Sequence, residues 1–182
     1  DDEFTPAGER HWTSKKLHQK LVNLSKVILN SSGFEMPGVV AMCEIENRKV
    51  LESLLTSTPL NKFNYKIIHK ESPDHRGIDV AIFYDADRVY PLEYNFYALQ
   101  KADEIAKTRE ILYFSGKINN DTLHFFINHW PSHYEGLLES KPMRNSAAKL
   151  LKQKTKELQQ KVHQPKIIIL GDFNDQPADE SL

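Results

Sequence analysis

The chain has 182 residues, and 24 Lys and Arg against 25 Asp and Glu give a formal net charge of −1. Hydrophobic residues make up 40% and charged residues 27%, the balance of a soluble globular protein, and the length suits one core rather than two. The near-zero charge excludes a global positive field for polyanions, the single cysteine, Cys43, excludes an intrachain disulfide, and no apolar run nears the roughly 18 residues that span a bilayer.

From Asp1 to Trp12 there is no periodicity, which reads as an extended arm. Because the first residue is Asp1 rather than Met, the sequence says nothing of a leader, and the compartment is left unassigned. Leu17, Leu21, Leu24 and Ile28 then recur at helical spacing, with Thr13 or Ser14 to cap the start and Gly33 to stop the end. Val39 to Cys43 is a short apolar run after Pro37-Gly38 and predicts a buried strand. Val50, Leu51, Leu54 and Leu55 predict a second helix before Pro59. Strands are expected at Tyr65 to His69 and Ile78 to Tyr84, separated by the turn-like Ser72-Pro73-Asp74. Two more, Ile111 to Lys117 and Thr122 to Asn128, flank a hairpin turn at Asn119-Asn120-Asp121. Met143, Ala147, Leu150, Leu151, Leu158 and Val162 mark a long amphipathic helix with a lysine-rich outer face. Ile167 to Leu170, entered through Pro165, is fully apolar and predicts a last, buried strand. Interleaved helices and strands favour one layered α/β domain.

The informative polar residues fall at predicted strand ends, where a rigid strand fixes a side chain and the loop beyond leaves it accessible. They are Glu44, Asp79, Asn128-His129, and Asp172 with Asn174. Taken singly, each has an ordinary structural explanation: a solvated helix start for Glu44, a strand-edge charge for Asp79, a satisfied interior histidine for His129, and an Asx-type turn for Asp172-Phe173-Asn174. Three specific alternatives fail. An apolar strand ending in Gly171-Asp172 suits an ATPase, yet no G-x-x-x-x-G-K-[ST] loop occurs. Asp172 to Asp175 begins like a calcium loop, but Gln176-Pro177 breaks the pattern. His129 and His133 are four apart, but Pro131 between them rules out an H-E-x-x-H helix.

Five segments carry a resemblance: Cys43-Glu44-Ile45-Glu46-Asn47 after an apolar strand, Arg76-Gly77-Ile78-Asp79, Thr108-Arg109-Glu110, Asn128-His129-Trp130-Pro131-Ser132, and Ile169-Leu170-Gly171-Asp172-Phe173-Asn174. In order and spacing, from about Leu17 to Asp175, the chain resembles the endonuclease/exonuclease/phosphatase family of metal-dependent phosphoesterases. That resemblance implies a four-layer α-β-β-α sandwich, two packed mixed sheets flanked by helices. It also implies a first strand bearing an Asn and a last strand bearing S-D-H. Neither is found, so 1–182 is expected to be a single domain incomplete at both ends.

The resemblance further implies Mg²⁺, with Mn²⁺ as substitute, held by Glu44, and an in-line attack of water on a phosphoester. Asp172 matches the residue that orients or deprotonates the water, Asn174 one that hydrogen-bonds a phosphate oxygen, and His129 a phosphate contact or acid. Arg109 matches a substrate-contacting arginine. Arg76 and Asp79 are placed on the substrate side with it, Asp79 either orienting His129 or supporting its strand. A nuclease-like phosphodiesterase has the broadest support. The lysines from Lys149 to Lys161 are the candidate nucleic-acid patch, and Trp130, Tyr134 and Tyr97 the candidate base-stacking aromatics. A small-molecule or lipid-headgroup phosphoesterase, of the inositol phosphate or sphingomyelin type, is the alternative. A non-catalytic binding module of the same fold is the alternative from another class.

Overall fold

The computed structural model describes residues 2–31, 33, 35–101, 104–133 and 136–181. In chain order its elements are α1 (Ser14–Asn30), β1 (Val39–Ile45), α2 (Arg48–Thr56), β2 (Tyr65–His69), β3 (Asp79–Asp85), β4 (Val89–Tyr97), β5 (Gln100–Lys101), β6 (Glu104–Ile105), β7 (Ile111–Ile118), β8 (Asp121–His129), α3 (Leu137–Lys161) and β9 (Lys166–Asp172). One main sheet has the order β1-β3-β2 and is antiparallel throughout. The other, β4-β7-β8-β9, is mixed, with β8 and β9 parallel. β5 and β6 form a small ribbon.

The period-2 alternation of the strands sorts their side chains into three cores between four layers. Ala81 and Phe83 of β3 face α1 and α2, packing with Leu21, Ile28, Leu51 and Leu54. Val80 and Ile82 face the other sheet and meet Leu112, Phe114, Phe125 and Ile127. On the far side of that second sheet, Ile111, Tyr113 and Phe126 pack against Ala147 and Leu151 of α3. The result is the α-β-β-α sandwich.

Most predicted elements stand, and the departures have physical causes. The buried stripe of α1 runs through Leu21, Ser25 and Ile28, while Leu24 is exposed. Ser25 is tolerated there because its hydroxyl donates to the Val22 carbonyl. Thr13 caps this helix, its side chain accepting from the Lys16 amide at 3.4 Å. β4 escapes the sequence pattern because it is an edge strand carrying Pro91 at a register shift, with most residues facing out. α3 begins at Leu137, so Pro142 lies inside the helix rather than before it. β9 departs from its expected burial: it borders its sheet, and Ile168 and Ile169 are 39% and 46% exposed.

Candidate active site

One end of the sandwich gathers the strand-end residues. In the parallel β8–β9 pair, Asn128 lies opposite Gly171 and His129 opposite Asp172. In the antiparallel β1–β3 pair, Ile45 lies opposite Asp79, which sets Glu44 beside the start of β3. Cys43 ties the two sheets together here, its thiol donating to the Asn128 carbonyl at 3.4 Å.

Glu44 owes its direction to a bulge. The β1 register shifts between Met42 and Ile45, and Glu44 takes a left-handed backbone, φ 60°. Strict alternation would send Glu44 to the helix side with Met42; the bulge puts Ile45 there instead and frees the carboxylate. A left-handed conformation at a non-glycine residue is costly, and such positions cluster at functional sites. The Glu44 side chain is 63% exposed, and its Oε1 is 3.2 Å from Nε2 of the buried His129.

Burial, aided by the Arg109 and Arg76 cations, pushes the His129 imidazole down to about 4 from its usual 6.5, with Asp172 and Asp74 pulling the other way. Glu44 favours the charged ring, but an exposed carboxylate is screened by solvent, so burial prevails. His129 is therefore neutral at physiological pH. Between about 4 and 6.5 the unfolded chain takes up this proton and the folded chain does not, so stability falls as pH drops through that window. A ¹H NMR titration is expected to show no His129 midpoint near 6.5; a midpoint there contradicts this assignment.

The loop after β9 is tightly specified. Gly171 has φ 132°, and a Cβ on it would lie 1.9 Å from the Asn128 carbonyl oxygen, so glycine alone fits. Asn128 is fully buried, donating to the Phe126 and Leu170 carbonyls and accepting from Trp130 Nε1. Phe173 packs edge-on against Trp130, centroids 5.0 Å apart. Asp172 Oδ1 accepts from the Asn174 amide at 2.9 Å, so the Asx turn is real, and Asn174 takes a left-handed backbone, φ 51°. Its amide Nδ2 donates to the Trp130 carbonyl at 2.9 Å. Asp175 anchors the loop to α3 through Arg144 Nε at 2.7 Å and also meets His133 Nε2 at 3.1 Å.

Two substrate-side expectations change. Arg109 is 4% exposed: Nη1 donates to Asp74 Oδ2 and Nη2 to the Trp130 carbonyl, both at 2.7 Å, so its fork is already filled. Asp79 is fully buried; its Oδ2 pairs with His69 Nε2 at 2.8 Å and its Oδ1 accepts from the Ser72 amide at 2.7 Å. It supports its strand and the loop that leads into it, and its histidine partner is His69, not His129. Arg76 remains accessible, with its side chain 30% exposed.

Oxygen ligands for a hard cation exist here. Glu44 and the exposed Asp172 offer carboxylates at adjoining strand ends, which suits Mg²⁺, an ion that keeps several waters and takes one or two carboxylates. Elsewhere among the described residues, His69, Glu71 and Asp79 bring three donor atoms within 4.8 Å of one another. Two of those three already hold each other, so this group acts as a strut.

The profile of the Endonuclease/Exonuclease/phosphatase family matches residues 1–182. The chain belongs to that family. No curated protein matches it. Among solved structures, truncated Caenorhabditis elegans TDP2 is 17% identical with a TM-score of 0.68, covering 93% of this chain and 60% of its own. The human Nocturnin catalytic domain with bound sulfate is 12% identical, TM-score 0.68, covering 100% and 64%. A Bacteroides thetaiotaomicron mannosyl-6-phosphatase is 20% identical, TM-score 0.69, covering 91% and 60%. At these identities the likeness establishes the fold, and this chain spans less than two thirds of each structure.

Within this family member, sequence reasoning overlooked Asp74, Asn128 as a buried bracket, and the Arg144–Asp175 anchor. Asp74 offered one clue: an acid two residues before Arg76 in a turn that Gly77 closes with φ 63°. The long links, Asn128 to Leu170 over 42 positions and Arg144 to Asp175 over 31, lie beyond any local pattern.

Proposed function

We propose that this chain carries most of the active site of a divalent-metal-dependent phosphoesterase, with Glu44 as the main protein ligand to Mg²⁺. The observation that carries the reading is the bulged, left-handed Glu44, whose exposed carboxylate converges with His129 and Asp172 at one end of the sandwich. The family generally uses divalent metals, which agrees with that oxygen-rich opening. Bound there, the cation supplies Lewis acidity at the phosphate. Asp172, held in its Asx turn, orients the attacking water and takes its proton. Asn174 keeps one amide N–H to donate to a phosphate oxygen, since its other N–H is committed to the Trp130 carbonyl. Neutral His129 contributes a hydrogen bond rather than a fixed positive charge.

A small or headgroup phosphoester is favoured over nucleic acid by the fate of the aromatics and lysines. Trp130 is 2% exposed with its indole N–H engaged, and Tyr97 lies between Tyr113 and the Lys154 ammonium, so neither is an open platform for a base. Tyr134 lies outside the described residues. α3 rises about 1.5 Å per residue away from the Arg144–Asp175 anchor, which carries Lys149 to Lys161 progressively further from the site. Full-length protein assayed on plasmid DNA, bis-p-nitrophenyl phosphate, inositol phosphates and sphingomyelin, with Mg²⁺ and with chelator, tests this. Metal-dependent turnover of a small or headgroup substrate is expected. Preferential cleavage of DNA overturns the substrate class, and no turnover of any of them overturns the enzyme.

A further inference from the structure

Both terminal nitrogens of Arg109 are engaged, so an open guanidinium edge for the phosphoester is to be found elsewhere, and one stands on the same carboxylate. Asp74 has its side chain 4% exposed and distributes its two oxygens between two arginines. Oδ2 takes Arg109 Nη1 at 2.7 Å; Oδ1 takes the Arg76 amide at 2.9 Å and Arg76 Nε at 3.3 Å. Ser72 Oγ accepts from the Asp74 amide at 3.2 Å, and the Gly77 amide donates to the Asp74 carbonyl at 2.9 Å, closing the turn.

The two arginines differ in what remains available. Arg109 is 3% exposed at the side chain and fastened at both terminal nitrogens, the second of them to the Trp130 carbonyl that also receives Asn174. Arg76 is held at Nε only, and its Nη1 and Nη2 have no partner among the described residues. Those two nitrogens form the open edge of a planar fork, the arrangement that matches two oxygens of a phosphate. Asp74 and Arg109 connect Arg76 to the Trp130 carbonyl that Asn174 also meets, which ties it to the site.

We propose that Asp74 is a positioning residue: through one oxygen it locks Arg109 into the scaffold, and through the other it aims the free edge of Arg76 at the substrate phosphate. This rests on the phosphoesterase reading, and it moves phosphate recognition from Arg109 to Arg76. Arg109 becomes a second positioning residue, fixing the Trp130 carbonyl on which Asn174 is hung.

The test uses full-length protein with Arg76→Ala, Asp74→Asn and the double variant. Inorganic phosphate binding is read by calorimetry and bis-p-nitrophenyl phosphate turnover by kcat and KM. Removing a charged hydrogen-bonding partner from Arg76→Ala is expected to weaken phosphate binding and raise KM by about tenfold, with kcat changed less and Tm unchanged. Asp74→Asn is expected to do the same while lowering Tm, because it strips a buried cation of its partner. In the Arg76→Ala background, Asp74→Asn is expected to lower Tm again but to change phosphate affinity by less than about twofold, since coupled residues are not additive. Unchanged phosphate affinity in Arg76→Ala overturns the proposal, and so does an equal Asp74→Asn effect with or without Arg76. Should Asp74→Asn not fold, Arg76→Ala and the longer-armed Asp74→Glu decide by the same affinities. A wild type that binds phosphate but turns over no phosphoester defeats the enzyme reading, and the affinities still decide the role of Asp74.

Discussion

Asp172→Asn is expected to cut turnover by about a thousandfold, the middle of the range for losing a general base, with no change in Tm. The substitution keeps what the carboxylate does for the fold. Asp172 accepts one hydrogen bond, from the Asn174 amide to Oδ1, and an asparagine carbonyl can accept it too, without the charge assistance. The residue is exposed, so no buried charge is stranded by the change. Its carbonyl, which receives the Trp130 amide at 2.9 Å, is backbone and untouched. What disappears is a negative charge and a proton acceptor beside His129 at the mouth of the site. Comparing kcat and thermal stability of the two proteins separates chemistry from folding; near-wild-type kcat removes Asp172 from the mechanism.

Glu44→Gln is expected to have the second large effect, on the metal. Gln keeps the size of Glu44, keeps an oxygen facing His129 Nε2, and is no harder to hold in a left-handed backbone. It loses the anionic oxygen that a hard cation needs, and Mg²⁺ sites lean on one or two such carboxylates. Losing an outer-shell partner alone costs roughly 10- to 100-fold in metal affinity, so losing a direct ligand is expected to cost at least that much. Because the side chain is mostly exposed, stability is expected to be unchanged.

Much of this was legible in the sequence wherever local rules operate. The apolar runs of β1, β3 and β7 and the leucine spacing of α2 each declare their element, and alternation within β3 assigns its two faces. The site was legible as a set of strand ends because side chains there are held by the strand and reached through the loop. What stayed hidden is what depends on distant partners. The openness of Arg109 or Asp79 is a property of Asp74 and His69, which pack against them in three dimensions. The apolar run of β9 implied burial, because hydrophobicity reports what a strand prefers and not whether a neighbour covers it. The β1 bulge leaves no mark in composition, since Glu44 is not a glycine and the backbone strain is stored without a signature residue.

The proposed chemistry depends on a divalent cation held at Glu44. Its most direct test is a Mg²⁺ titration of phosphoester turnover by chelator-stripped, full-length protein, wild type beside Glu44→Gln. Turnover is expected to be absent without metal, to return in the wild type on Mg²⁺ addition, and to require at least about tenfold more Mg²⁺ in the variant. Full turnover in chelator, or superimposable Mg²⁺ curves for the two proteins, contradicts the account.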